Sequence, residues 1–180
     1  MRDALETPRL LLRRWRPDDL DTLARWHVDP ELMRHMGKPS FTREEVEADF
    51  RRFEQHWAEH GFGLWAAEEK ASGELVGRAG LAYHRVWSND PEVGWLIDRP
   101  WQGRGLATEG AREMLRLGFG ELRLHRIMAE CDPRNVASQR VMERLGMRRE
   151  AEFLENQFLK GEWVGESVYA VLETEWRAQR

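Results

Sequence analysis

Apolar residues in this chain follow two periods, and the switches between them set out an order of elements. Thr7 to Arg14 carries a run of leucines closed by Trp15-Arg16-Pro17, which predicts a strand. Asp18 stands at an N-cap position ahead of Leu20, Leu23, Ala24 and Trp26, predicting a helix. Pro30 to Met36 predicts a short helix stopped by Gly37 and Pro39. Thr42 with Glu45 has capping-box spacing, and Val46, Phe50, Phe53 and Trp57 recur at helical intervals up to His60, before Gly61. Gly63 to Glu69 and Glu74 to Tyr83 then predict a hairpin about Ala71-Ser72-Gly73, and Pro91 to Asp98 continues the sheet. A helix from Arg104 to Leu117 aligns Ala107, Ala111, Met114, Leu115 and Gly118 on one face. His125 to Cys131 predicts a strand, and Asn135 caps a helix carrying Val136, Val141, Met142 and Leu145, ended by Gly146. Met147 to Asn156 and Glu166 to Leu172 close the series. The order predicts an α+β fold with a mixed sheet and one parallel crossover after Asp98.

With 180 residues and no linker, repeat or low-complexity tract, the chain predicts a single domain over 1–180. The opening residues lack the apolar core of a signal peptide and no apolar run is long enough to span a bilayer, so a cytoplasmic location and no membrane partner are expected. A net charge of −4 gives no case for nucleic-acid binding. Cys131 is the single cysteine, which excludes an intrachain disulfide and a cysteine-based zinc site; no metal is expected. Nine tryptophans are many for this length, and some are expected to line a cleft.

The densest candidate chemistry lies in Trp101-Gln102-Gly103-Arg104-Gly105-Leu106-Ala107-Thr108-Glu109, between a predicted strand and a predicted helix. Two glycines allow a tight turn, and the helix start leaves N–H groups without intrahelical partners. These donors, with the positive end of the helix dipole, suit a phosphate or pyrophosphate. A glycine turn used for shape alone has the same sequence.

Gln102-x-x-Gly105-x-Ala107 resembles the acetyl-CoA pyrophosphate loop of the GNAT superfamily of N-acetyltransferases. Three further segments resemble its ribosomal-protein N-terminal (Rim-type) acetyltransferase branch. Leu5-Glu6-Thr7-Pro8-Arg9-Leu10-x-Leu12-Arg13 is similar to the opening strand, Glu92-Val93-Gly94-Trp95-Leu96-Ile97 to the central strand, and Asn135 to Met147 to the late helix. In order and spacing they cover most of Leu5 to Glu173. The resemblance implies a sheet splayed into a V, with pantetheine along the backbone of Trp95, Leu96 and Ile97. It puts the pyrophosphate on the amides of Gly103, Arg104, Gly105, Leu106 and Ala107 next to Gln102. Arg104 adds charge near a phosphate or points to solvent. Asn135 caps its helix and, by the resemblance, also bonds pantetheine.

Acyl transfer from a thioester to an amine needs a neutral amine, a site for the oxyanion and a protonated leaving thiol. An α-amine, with pKa about 8, needs less help at neutral pH than a lysine at about 10.4. The resemblance makes Glu92 the first candidate base; a structural carboxylate fits the same position. His84 and Glu130 are further candidates, His84 being equally a solvent-facing histidine. Many superfamily members carry a tyrosine acid where this chain has Met142, which cannot donate a proton. Ser138, one turn back, is the substitute, or a small residue that lets the helix pack. Cys131 is expected to be a buried filler, since this superfamily transfers directly without an acyl-enzyme. Trp87, Trp95, Phe158 and Trp163 are candidates for an apolar acceptor slot, and Asp29, Glu31 and Glu155 for attracting a cationic amine.

The expected activity is therefore acetyl-CoA-dependent N-acetyl transfer in a ternary complex, to a protein N-terminal α-amine, by a monomer or homodimer. A small amine (polyamine, amino-acid derivative or aminoglycoside) is the alternative acceptor, and a non-catalytic acyl-CoA-binding module the alternative class.

Overall fold

A computed structural model describes residues 2–37, 40–83 and 90–178. Eight strands form one sheet in the order β1-β2-β3-β4-β5-β6-β8-β7. These are β1 (Ala4–Glu6), β2 (Leu10–Arg13), β3 (Leu64–Glu69), β4 (Leu75–Ala82), β5 (Glu92–Ile97), β6 (Arg126–Cys131), β7 (Arg148–Leu159) and β8 (Glu162–Leu172). The helices are α1 (Leu20–Val28), α2 (Arg43–His60), α3 (Leu106–Gly120), α4 (Val136–Arg144) and α5 (Glu173–Ala178). No helix among the described residues is long and apolar enough to cross a membrane.

Every strand pair is antiparallel except β5 and β6, which are joined through the α3 crossover. That parallel pairing is confined to Glu92 opposite Met128, where the Met128 N–H donates to the Pro91 carbonyl at 3.1 Å. Beyond this point β5 keeps its ladder to β4 through Ile97 while its other edge leaves β6. The sheet thus opens into the expected V.

Each face of the sheet is covered by its own core. Val93 and Ile97 of β5 pack with Ala79 and Leu81 of β4 and with Leu106, Ala111, Met114 and Leu115 of α3. Leu96 belongs instead to a cluster with Trp15, Leu23, Trp26 and Val46, flanked by Phe50 and Phe53 of α2. Alternation along the strand therefore turns Glu92, Gly94 and Leu96 towards the α1–α2 face.

The capping box at Thr42 forms as its spacing predicts: Glu45 N–H donates to Thr42 Oγ1 and Thr42 N–H to the Glu45 carboxylate. Gly61 ends α2 in the left-handed region at φ 76°. Several boundaries differ from expectation. The strand read over Thr7 to Arg14 is confined to Leu10–Arg13, preceded by a turn in which Thr7 Oγ1 accepts the Leu10 N–H and which joins it to β1. The carboxylate ordering the next turn is Asp19 rather than Asp18. It accepts the Arg16 N–H and bonds the buried Arg13 guanidinium at 2.7 and 2.9 Å. Pro30 to Met36 forms turns, because Asp29 accepts the Glu31 and Leu32 N–H groups and holds the chain in a tight bend. The last hairpin is longer than predicted; its turn is Lys160-Gly161, both at positive φ. At the start of the short α5 the Glu175 carboxylate accepts the Leu172 N–H at 2.8 Å, and Trp176 is buried against Phe119.

Candidate active site

The V opens into a cleft of about 1300 Å³ whose lining includes Glu92 to Ile97, Gly103, Gly105 to Thr108, Glu130 and Cys131, Asn135 and Ser138. A smaller cavity of about 310 Å³ continues beyond it and shares Arg34, His35, Met36, Glu92, Glu130, Cys131 and Arg134 with the cleft. It lies under the β7–β8 hairpin, whose Gln157, Leu159 and Glu162 form its far wall.

One end of the cleft is the loop between β5 and α3. Asp98, buried at its start, accepts the Arg99 N–H and pairs with Arg25 at 2.8 Å, fixing where the strand stops. Gly103 and Gly105 take φ of 73° and 80°, which L side chains rarely adopt. A Cβ on Gly103 would meet no atom within 4 Å, and on Gly105 only the Arg9 guanidinium at 3.5 Å. The glycines are therefore required by backbone conformation, and the space above them stays open. The first intrahelical bond of α3 is Glu109 N–H to the Gly105 carbonyl at 3.0 Å, leaving the amides before it without an intrahelical acceptor. Left-handed glycines, an open cradle and helix-start donors together fit a pyrophosphate.

The loop is held from outside by an ion-pair network that the sequence did not single out. Thr7 Oγ1 donates to Glu109 at 2.6 Å, the Arg9 N–H at 2.8 Å and the Arg9 Nε at 2.7 Å. Arg9 Nη1 also donates to the Arg104 carbonyl at 2.7 Å. Burial opposes ionisation of Glu109, but these donors outweigh it and hold its pKa below the usual carboxylate range. The Arg104 guanidinium stacks over Trp101 at 4.7 Å and does not line the cleft. Gln102 donates its side-chain amide to the Ile97 carbonyl at 2.9 Å, tying the loop to the strand end.

On the opposite wall, Asn135 Oδ1 accepts the Ser138 N–H at 3.1 Å, the cap its position predicts. Ser138 is half-buried and lines the cleft, whereas Met142 is fully buried in the core and lies off it. The residue occupying the superfamily's acid position is thus a packing residue in this chain. Burial, with Asp132 nearby, pushes the Cys131 thiol up to about 12, so it is a neutral thiol and no nucleophile at pH 7.

Glu92 and Glu130 line both cavities. His84 and Trp87 lie outside the described residues. His35, absent from the sequence candidates, also lines both, with Nδ1 at 3.3 Å from Asp132. Burial disfavours the Asp132 carboxylate, but the Arg134 side chain and backbone and His35 hold its pKa down at about 2. Only the fold brings residues 35 and 132 together. Trp95 lines the cleft; Phe158 and Trp163 pack edge to face at 5.4 Å on the exposed hairpin, outside both cavities. Asp29 is used by its turn and Glu31 pairs with Arg34, although Glu31 also lines the cleft. Among the described residues no group of three or more acidic, histidine or cysteine side chains is arranged to hold a metal.

Residues 9–148 match the acetyltransferase (GNAT) domain family. The chain is 34% identical to the uncharacterized N-acetyltransferase YnaD of Bacillus subtilis, across 96% of this chain and 98% of that protein. It is 28% identical to the ribosomal protein uS5-alanine N-acetyltransferase of Escherichia coli, over 66% of this chain and 60% of that enzyme. The crystal structure of a GNAT-family acetyltransferase from Bacillus anthracis superposes with a TM-score of 0.83 at 30% identity, covering 95% of this chain and 99% of that one. With the splayed sheet, the open glycine loop and the capped α4 at the cleft, these matches establish that the chain belongs to the GNAT family of acetyl-CoA-dependent N-acetyltransferases.

Proposed function

We propose that the enzyme acetylates the α-amine of a peptide or protein N-terminus in the cytoplasm, by direct transfer within a ternary complex. The observation that carries this reading is the length of the cleft. It runs past Glu92 into a second cavity beneath a hairpin whose Phe158 and Trp163 are exposed. An extended chain, advancing about 3.3–3.6 Å per residue, fits such a path better than a compact molecule. Exposed apolar residues beside a cleft are a common mark of a protein-binding rim.

In this reading pantetheine lies along the free edge of β5 at Trp95 to Ile97 and the pyrophosphate on the amides from Gly103 to Ala107. The amine lone pair attacks the thioester carbonyl carbon, forming the N–C bond, and the C–S bond then breaks. Glu92 takes the amine proton through water, since an α-amine of pKa about 8 is already partly neutral near pH 7. A backbone N–H of β5 holds the oxyanion. Ser138 positions the departing thiolate, which returns as the thiol once protonated. Holding the two reactants together supplies much of the acceleration.

A second reading, a small polycationic amine, is favoured by the carboxylates of Glu92, Glu130, Asp132, Glu162 and Glu166 around the 310 Å³ cavity. A screen separates the two: acetyl-CoA with N-terminal peptides, polyamines or aminoglycosides, reading free thiol release. Peptides are expected to give the highest kcat/KM. Polyamines outrunning every peptide would replace the first reading with the second. CoA binding without thiol release for any acceptor would point to a binding module.

A further inference from the structure

Arg78 is the feature that neither the fold nor the proposed chemistry uses. It lies on β4 directly opposite Leu96, and its neighbours Gly77 and Ala79 put it on the α1–α2 face by alternation. The residue is half-buried and lines the large cleft. Its guanidinium sits over the Phe53 ring at 5.4 Å. Among the described residues no carboxylate pairs with it, and those outside the described set include no aspartate or glutamate. Of the other guanidiniums lining these cavities, Arg34 is engaged by Glu31, Arg52 by Asp49 and Arg134 by Asp132 and Glu162, while Arg140 and Arg144 are exposed residues of α4. The buried Arg13 is bonded by both Asp19 and Glu68.

A half-buried guanidinium without a counter-anion loses part of its hydration, and a ring face offsets only some of that cost. Burial lowers the Arg78 pKa to about 10, so the group remains charged at neutral pH. Its field extends to His27, which it helps to keep neutral.

The ground between Arg78 and the amine end is open. Glu92 lies four residues before Leu96 on the same face of β5, about 13 Å along the strand. Between them stands Gly94; its cross-strand partner Gly80 is covered by the Gly63–Leu64 backbone, which a Cβ there would overlap. A Cβ built on Gly94 would meet nothing within 4 Å. Glu92, Gly94 and Arg78 all line the one cleft. A trough open at Gly94 thus has a carboxylate at one end and a guanidinium without an acidic partner at the other.

We propose that Arg78 is an anion subsite of the acceptor cleft, and that the preferred acceptor is an amine bearing a carboxylate two to four residues from its reacting nitrogen. In a peptide this is a nearby aspartate or glutamate side chain or a short C-terminus. The inference takes its amine end from the peptide reading, but the subsite itself requires only an amine and a carboxylate at this separation.

The test is isothermal titration of acceptors into protein saturated with CoA, which cannot turn over. The peptide probes are Ala-Ala-Glu-Ala amide against Ala-Ala-Gln-Ala amide, and trialanine as free acid against its amide. ω-Amino acids of six to eight carbons against the matching alkylamines form a set without peptide bonds. The expected result is at least about tenfold tighter binding of the carboxylate member, as for a hydrogen bond to a charged group. That ratio should fall towards one in Arg78→Met and recover in part in Arg78→Lys, which restores charge without the fork. CoA affinity, read in parallel, reports an intact fold, with Arg78→Gln replacing Arg78→Met if that variant loses CoA binding. A ratio near one in the unaltered protein for both sets overturns the proposal. So does an undiminished ratio in an Arg78 variant that still binds CoA. A preference confined to the ω-amino acids would sink the peptide reading and leave the subsite standing.

Discussion

Glu92 is the β5 residue that lines both cavities, at the point where β5 and β6 part. If its carboxylate carries the amine proton, Glu92→Gln should lower kcat by about a hundredfold or more while CoA affinity stays within a factor of two. The acidic limb of the kcat/KM profile should disappear with it. A profile matching the parent's would remove Glu92 from the role and turn attention to His35 beside Asp132. Glu92 could be named from sequence because it begins a recognisable strand segment. His35 could not, because its partner lies 97 residues away and no local pattern links them. Arg78 was hidden for a related reason: in a sequence an arginine without an acidic partner looks like any other arginine. Met142 shows the reverse case, since its position matched a known catalytic place while its side chain belongs to the core.

The β5–α3 loop and the N-terminal turn act as one unit. Glu109 in the first turn of α3 accepts from Thr7 and from both the backbone and side chain of Arg9, and Arg9 reaches on to the Arg104 carbonyl. Removing the carboxylate should loosen the loop without touching the reacting atoms. Glu109→Ala should therefore raise the KM for acetyl-CoA about tenfold with little change in kcat, and Glu109→Gln, which retains one acceptor oxygen, should recover part of the loss. An unchanged KM would mean the loop holds its shape on the glycine conformations alone. The strands and helices themselves were largely legible where their ends carry chemistry, as at Thr42, Gly61, Asn135 and Gly146. They were misread where a side chain redirected the backbone: Asp29 bends a segment with helical composition, and the Thr7 turn shortens what looks like a longer strand. The Lys160-Gly161 turn lacks the Asn-Gly signature of its type, so the length of the last hairpin was not visible.

Across the whole molecule, the packing of α1 and α2 onto the sheet removes His27 from water. It is 2% exposed, stacked on Phe41 at 4.4 Å, and 3.8 Å from Asp49, too far for a hydrogen bond. Burial first, and then the charges of Arg78 and Arg52, depress its pKa to about 4. The unfolded chain takes up this proton near pH 6.5 and the folded chain does not, so stability is complete above that pH and is lost as pH falls towards 4. Between pH 7 and pH 5 this amounts to about 2 kcal/mol. Urea unfolding at the two pH values should show that loss in the parent and a much smaller one in His27→Gln; equal losses in both would assign the effect to other groups. The order of elements, the family and the glycine turn between β5 and α3 were legible along the chain, because these depend on local periodicity, caps and glycine conformations that neighbouring residues specify. Folding alone settles which face of β5 looks onto the cleft, that Met142 is core, that Arg9 and Glu109 brace the loop, and that Arg78 and Glu92 line one cleft. Those facts come from strand register and the packing of segments far apart in the chain, which no local pattern encodes.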